Sequence, residues 1–134
     1  MLFRSKENIA FLPQADFSLR KKGNIFFAGQ ITGVEGYLES AASGLIAAIN
    51  LSRRLNGQDT LVFPEETALG GLARHIAGSP SIDFQPMNIN FGLISPLPWK
   101  VRGKRKKNLQ ISERALRVLE DFIVQNGLRP SNAY

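Results

Sequence analysis

The 134-residue sequence contains no cysteine and only one histidine. Without cysteine there can be no disulfide, no thiolate-bound zinc and no thiol nucleophile. The lone His75, with no acidic cluster near it in sequence, makes neither a metal centre nor a catalytic triad, so it reads as structural or solvent-facing. The chain also lacks the dinucleotide fingerprint G-x-G-x-x-G. No segment approaches the roughly 20 apolar residues of a membrane-spanning helix. The opening "MLFRSKENIAFLPQ" has no apolar core of the signal-peptide kind, and the expected location is the cytoplasm. No catalytic residue and no metal ligand is assigned. Glu65 and Glu66, directly after Pro64, suit a helix start better than acid–base work.

What remains is ordinary globular material, 43% hydrophobic and 21% charged, with unevenly placed charge. Residues 1–22 carry a net +3, residues 23–99 a net −3, and residues 100–134 a net +6. Basic ends around a mildly acidic middle point to a polyanionic partner at the ends.

Along the chain, "NIFFAG" (24–29) reads as a buried strand after the turn signal "RKKGN". A helix follows over 37–55, with Leu38, Ala41, Ala42, Leu45, Ala48, Ile49 and Leu55 expected on one face and Asn56-Gly57 as its stop. "TLVFPEE" reads as a brief strand before a second helix carrying Leu69, Leu72, Ala73 and Ile76, ended by Gly78. In "FQPMNINFGLISPLPW" the prolines exclude a helix, and Met87, Ile89 and Phe91 alternate as in a half-buried strand. That alternation sets Asn88 and Asn90 on one face, where with Gln85 they could meet a ring or base edge or simply face water. "SERALRVLEDFIVQ" is an amphipathic helix with Ser112 as its expected N-cap. Ahead of it, Lys100, Arg102, Lys104, Arg105, Lys106 and Lys107 form a charge run, either a solvated linker or a phosphate contact, with Trp99 available to stack on a base.

The stretch "NIFFAGQITGVEGYLESAASGL" (24–45) carries the strongest functional signal. Strand, glycine-rich turn and helix is the geometry that aims a helix N-terminus at a ligand. Glu35 and Glu39 flank the turn and would repel a bare diphosphate, so a neutral, electron-rich ring carbonyl suits it better. The plain alternative is a tight connection with no ligand.

Together with "FPEETALGGLARHI" and "FQPMNINFGLISPL", the run "AGQITGVEGY" closely resembles the C-terminal part of the folate- and flavin-dependent tRNA uracil-5 methyltransferases. The resemblance is good from about Gly23 to Leu97, weaker through 113–122 and poor at the end. A sister family, the flavoproteins that modify the tRNA wobble uridine, typically has Asn-Gly-Thr-Thr-Gly-Tyr where this chain has Thr32-Gly33-Val34-Glu35-Gly36-Tyr37, so the methyltransferases are preferred. The resemblance implies FAD on a doubly wound domain, methylenetetrahydrofolate as carbon donor and a T-loop uridine as acceptor. It places Gly29, Gln30, Thr32, Gly33, Gly36 and Tyr37 beside the flavin ring and ribityl chain. It raises the RNA-contact reading for Trp99, Lys100, Arg102 and Lys104 to Lys107.

The expected fold is α/β: the last strand and helix of a flavin-binding domain over 1–57, a covering segment over 58–98, and a basic segment with a final helix over 99–134. Because the family's diphosphate loop and cysteines are absent, the chain is read as a fragment that is inactive alone and binds FAD and folate weakly or not at all. Its expected partners are tRNA and either the rest of the flavin domain or a second copy of itself, with no membrane. A non-enzymatic tRNA-binding remnant and a fragment of the wobble-uridine flavoprotein are the alternatives.

Overall fold

A computed structural model describes residues 13–78 and 86–128. The architecture is mixed α/β, as the sequence indicates. It comprises strands β1 (Ser18–Leu19) and β2 (Lys22–Phe26), a 3-10 turn (Gly29–Thr32), and helices α1 (Tyr37–Leu55), α2 (Ala68–Gly78) and α3 (Lys104–Gln125).

The sheet departs from the reading of "NIFFAG". The strand starts earlier, at Lys22, is exposed over residues 22–25 rather than buried, and pairs antiparallel with β1 in a bulged two-stranded ribbon. Phe17 turns the chain into β1 at a positive φ of 65° while its ring is buried. "TLVFPEE" is extended but joins no strand among the described residues, and Met87 makes only an isolated parallel bridge to Val34.

α1 has its expected bounds, but its buried side is different. Ser43, Ile46, Ala47 and Asn50 face inward. Leu38, Ala41, Leu45, Ala48 and Leu55 of the expected face are exposed, and Ala42 and Ile49 are half-buried. Asn50, fully buried, donates from Nδ2 to the carbonyls of Asp16 (3.1 Å) and Leu61 (2.9 Å), and its Oδ1 accepts from the Leu61 amide (2.7 Å). A buried amide is tolerated because its donors and acceptor are engaged.

Asp16 anchors the same junction. Its carboxylate accepts from the hydroxyls of Ser18 and Thr60 (both 2.6 Å) and from the Ser18 amide (2.9 Å). Burial pushes its pKa up, but these hydrogen bonds together outweigh burial and hold it below the ordinary carboxylate value.

α2 follows its pattern, with Leu72, Ala73 and Ile76 buried. Thr67 caps it, its hydroxyl accepting from the Gly70 amide (3.0 Å). Gly70 and Gly71 are required by contact: a Cβ at the first would collide with the Phe63 and Pro64 carbonyls, and at the second with that of Leu93.

α3 begins eight residues before Ser112. Gly103, at φ 89°, occupies the cap position, and Lys104 to Lys107 form the first turn rather than a linker. Lysine and arginine are good helix formers, so nothing stops the helix short of the glycine. Ser112 lies inside it, donating to the Asn108 carbonyl (3.0 Å).

One core joins all three segments. Phe17, Val34, Ile46, Phe63, Leu72 and Ile76 are central, and Leu119, Phe122 and Leu128 close over them. Phe122 meets Phe63 at 4.9 Å between ring centroids, a tilted contact.

Candidate functional site

The glycine turn is built from both sides. Gly29, Gly33 and Gly36 hold positive φ values of 73°, 92° and 96°, conformations that L side chains rarely adopt. The Gly29 amide donates to the Ser43 hydroxyl (2.8 Å), which donates to the Ser40 carbonyl (2.8 Å), pinning the turn to α1. Thr32 is buried, and its hydroxyl donates to the Gly29 carbonyl (2.7 Å), so it shapes the turn from inside.

Residues 87–89 line the turn's other flank. The Glu35 amide donates to Met87 O (3.2 Å), and the Met87 amide to Gly33 O (3.3 Å). Asn88 Nδ2 donates to Glu35 O (3.2 Å), and the Ile89 amide to the Glu39 carboxylate (3.2 Å). The crowding at Gly36 comes from these neighbours, since a Cβ there would meet the Glu39 carboxyl and the Asn88 amide. Asn88 is thus committed to the turn. Asn90 instead accepts from the Gly92 amide (2.9 Å) and donates to Asn88 O (3.3 Å), closing a local turn. Gln85 lies outside the described residues.

The outward side of the turn presents Gln30 and Tyr37, the latter 99% exposed at the first position of α1. Gly36 offers no side chain to cap α1, and of the first-turn amides that of Glu39 meets its own carboxylate. Glu39 borders this surface as a carboxylate. Its own backbone amide and then the Ile89 amide hold its pKa below the ordinary value against the cost of burial, with a lesser contribution from Asn88. Helix amides beside an anionic carboxylate suit a neutral hydrogen-bond acceptor and disfavour a diphosphate.

The second predicted cluster also comes together. Lys100, Arg102 and Lys104 to Lys107 are all exposed, and α3's first turn contains no acid. Trp99, 55% exposed, donates its indole N–H to Gln110 (3.1 Å), one turn along α3 from Lys106 and Lys107. Arg114 fixes the preceding segment by donating to the carbonyls of Ser95 and Pro96. Four cations at the positive end of a helix dipole oppose it by ~0.3–1 kcal/mol each, a penalty that a bound anion would relieve.

His75 lies half-buried on α2. It helps line a shallow depression of about 610 Å³ with Glu65, Arg74 and residues 92–96, and no residue of the glycine turn reaches it. Among the described residues no helix is long and apolar enough to cross a membrane.

The profile of the family described as Glucose inhibited division protein A matches residues 7–59, which include both strands, the glycine turn and α1. Methylenetetrahydrofolate–tRNA-(uracil-5-)-methyltransferase TrmFO of Desulfitobacterium hafniense (strain Y51) is 60% identical over 115 residues, covering 86% of this chain and 26% of that protein. The proteins of the same name from Natranaerobius thermophilus and Acetivibrio thermocellus are 58% identical over 109 residues and 47% over 116. These matches cover 81% and 87% of this chain, and 25% and 27% of those proteins. The chain thus spans about a quarter of the length of these curated relatives. Over more than four-fifths of its length the chain is thus similar, at 47–60% identity, to proteins named methylenetetrahydrofolate–tRNA-(uracil-5-)-methyltransferase.

Proposed function

We propose that the chain supplies the C-terminal portion of a methylenetetrahydrofolate- and FAD-dependent tRNA (uracil-5-)-methyltransferase that forms 5-methyluridine in the T loop, and that it is inactive alone. The observation that carries this reading is the glycine turn, embedded in a sequence 60% identical to a protein named for that activity. Gly29, Gly33 and Gly36 allow the turn its positive-φ path, and Thr32 holds the turn's shape. Gln30, the first α1 amides and Tyr37 would meet the flavin ring and ribityl chain. These residues fit a neutral ring edge, and Glu39 keeps the diphosphate elsewhere. Reduced flavin, when bound, would supply electrons while folate supplies the carbon. This chain's part is to orient the ring and shield one side of it. It contains no diphosphate loop, so FAD affinity requires the rest of the protein.

Trp99 and the cations Lys100, Arg102, Lys104, Arg105, Lys106 and Lys107 are assigned to tRNA, the phosphates at the α3 terminus and a base on the indole. The exposed basic helix start also favours a second reading, a tRNA-binding remnant without flavin chemistry, because that surface needs nothing from the turn. Supplying the remaining three quarters of the D. hafniense protein in trans separates the two. Restored flavin binding and methyl transfer, both lost with Gly36→Val, is the expected result. RNA binding with neither activity would favour the remnant.

A further inference from the structure

The exposed face of α1 is an apolar seam. Leu38, Ala41, Leu45, Ala48 and Leu55 recur at alternating spacings of three and four, with Ser52 completing the series, and Leu38, Leu45 and Leu55 are 79%, 59% and 78% exposed. Such spacing places all of them on one line along the helix. The flanking Gly44 meets nothing within 4 Å, so a partner backbone can approach closely. Nineteen helical residues make this seam about 28 Å long. Beside it, β2 pairs only with β1 among the described residues, which leaves a strand edge next to the half-exposed Ile25 and Phe27.

Three observations identify the occupant. The matches to relatives cover at least four-fifths of the chain and so include α1, yet the matched segment is only about a quarter of each relative. In such a protein this seam lies within a larger polypeptide. An open strand edge beside an apolar helix is completed by a partner that offers both a strand and an apolar face, which is what an α/β domain has. Cations gather at one end of the seam, where Arg54 lies over Gly23 next to Lys22, and with a chain net charge of +6 they disfavour a second copy and favour a partner with carboxylates there.

We propose that the α1 seam and the β2 edge form a docking face for the polypeptide corresponding to the three quarters of the relatives that this chain does not span. The proposal rests on reading the chain as part of a larger protein of this family. It does not depend on flavin or RNA contacts.

The test uses the full chain and a chimera in which it replaces its matching segment in the D. hafniense protein. Leu45→Asp is the probe and Leu116→Asp, on the exposed side of α3, the control. In the lone chain both should lower the unfolding midpoint slightly and alike, by the helix-propensity difference between Leu and Asp alone, because both side chains already face water. In the chimera, Leu45→Asp should shift the unfolding equilibrium at least tenfold and Leu116→Asp should not. The chain mixed with the remaining part of the relative should sediment as a 1:1 complex that Leu45→Asp weakens at least tenfold. Equal effects of Leu45→Asp in chain and chimera would overturn the proposal. So would a lone-chain dimer that Leu45→Asp dissolves and the remaining part does not displace. A chimera that shows the Leu45→Asp effect but no methyl transfer would sink the functional reading and leave the docking face standing.

Discussion

Replacing Asn50 with alanine tests the junction that holds α1, the turn before β1 and the segment after α1 together. Asn50 is 0% exposed and makes three hydrogen bonds, two to Leu61 and one to Asp16. The variant strands the Asp16 and Leu61 carbonyls and the Leu61 amide. Each stranded buried group costs about 1–3 kcal/mol. Leu61 is only half-buried, so water recovers part of this, and the expected loss is about 3–4 kcal/mol. Against a total of ~5–15 kcal/mol for a natural domain, that is a large fraction. With a urea m-value of ~1–2 kcal/mol/M, the midpoint should fall by about 2 M. Asn56→Ala is the control, since Asn56 is exposed and its side chain donates to Ser52 O within the last turn of α1. Urea titrations followed by far-ultraviolet circular dichroism would report both. A shift for Asn50→Ala below about 1 kcal/mol, or no larger than that of Asn56→Ala, would show that the buried amide does not hold the junction.

Gly70→Ala should destabilise the chain strongly, because backbone at Phe63 and Pro64 must move. Gly44→Ala, in open space inside α1, should stabilise it by about 0.5–1 kcal/mol, and thermal melts compare the two. Asp16 has a lowered folded-state pKa, so its contribution is present above the unfolded value of about 3.9 and is lost as pH falls through the folded one. Asp16→Asn should therefore be less stable at pH 7 and lose less on acidification, with Glu39, lowered likewise, leaving a residual slope; identical acid profiles for variant and parent would refute this. Binding of a T-stem-loop RNA should fall with salt at a log–log slope of about −3 to −4 if four phosphates are contacted. Lys104, Arg105, Lys106 and Lys107 replaced together by alanine should flatten that slope, and Trp99→Ala should cost roughly 1–3 kcal/mol with little change in it. Filter binding in which the fourfold variant matches the parent at every salt concentration would remove RNA from this surface.

The sequence by itself determined where α1 and α2 run, because apolar periodicity, Asn56-Gly57 and Gly78 are local signals read without a partner. It also marked the glycine turn, since positive φ leaves glycine as its trace, and it grouped the cations that now form one helix terminus. The start of α3 was also written there, as Gly103 before four good helix formers, but charge repulsion in the run masked it. Only the tertiary structure decided which face of α1 is buried. Periodicity reports that a stripe is apolar, whereas burial depends on what lies opposite, and here Phe17, Val34 and Phe63 lie opposite Ile46 and Ala47. The Asp16–Thr60–Asn50 network was invisible for the same reason. Short polar residues 34 and 44 positions apart carry no pattern until folding brings them within hydrogen-bond reach, and only then does their burial become affordable.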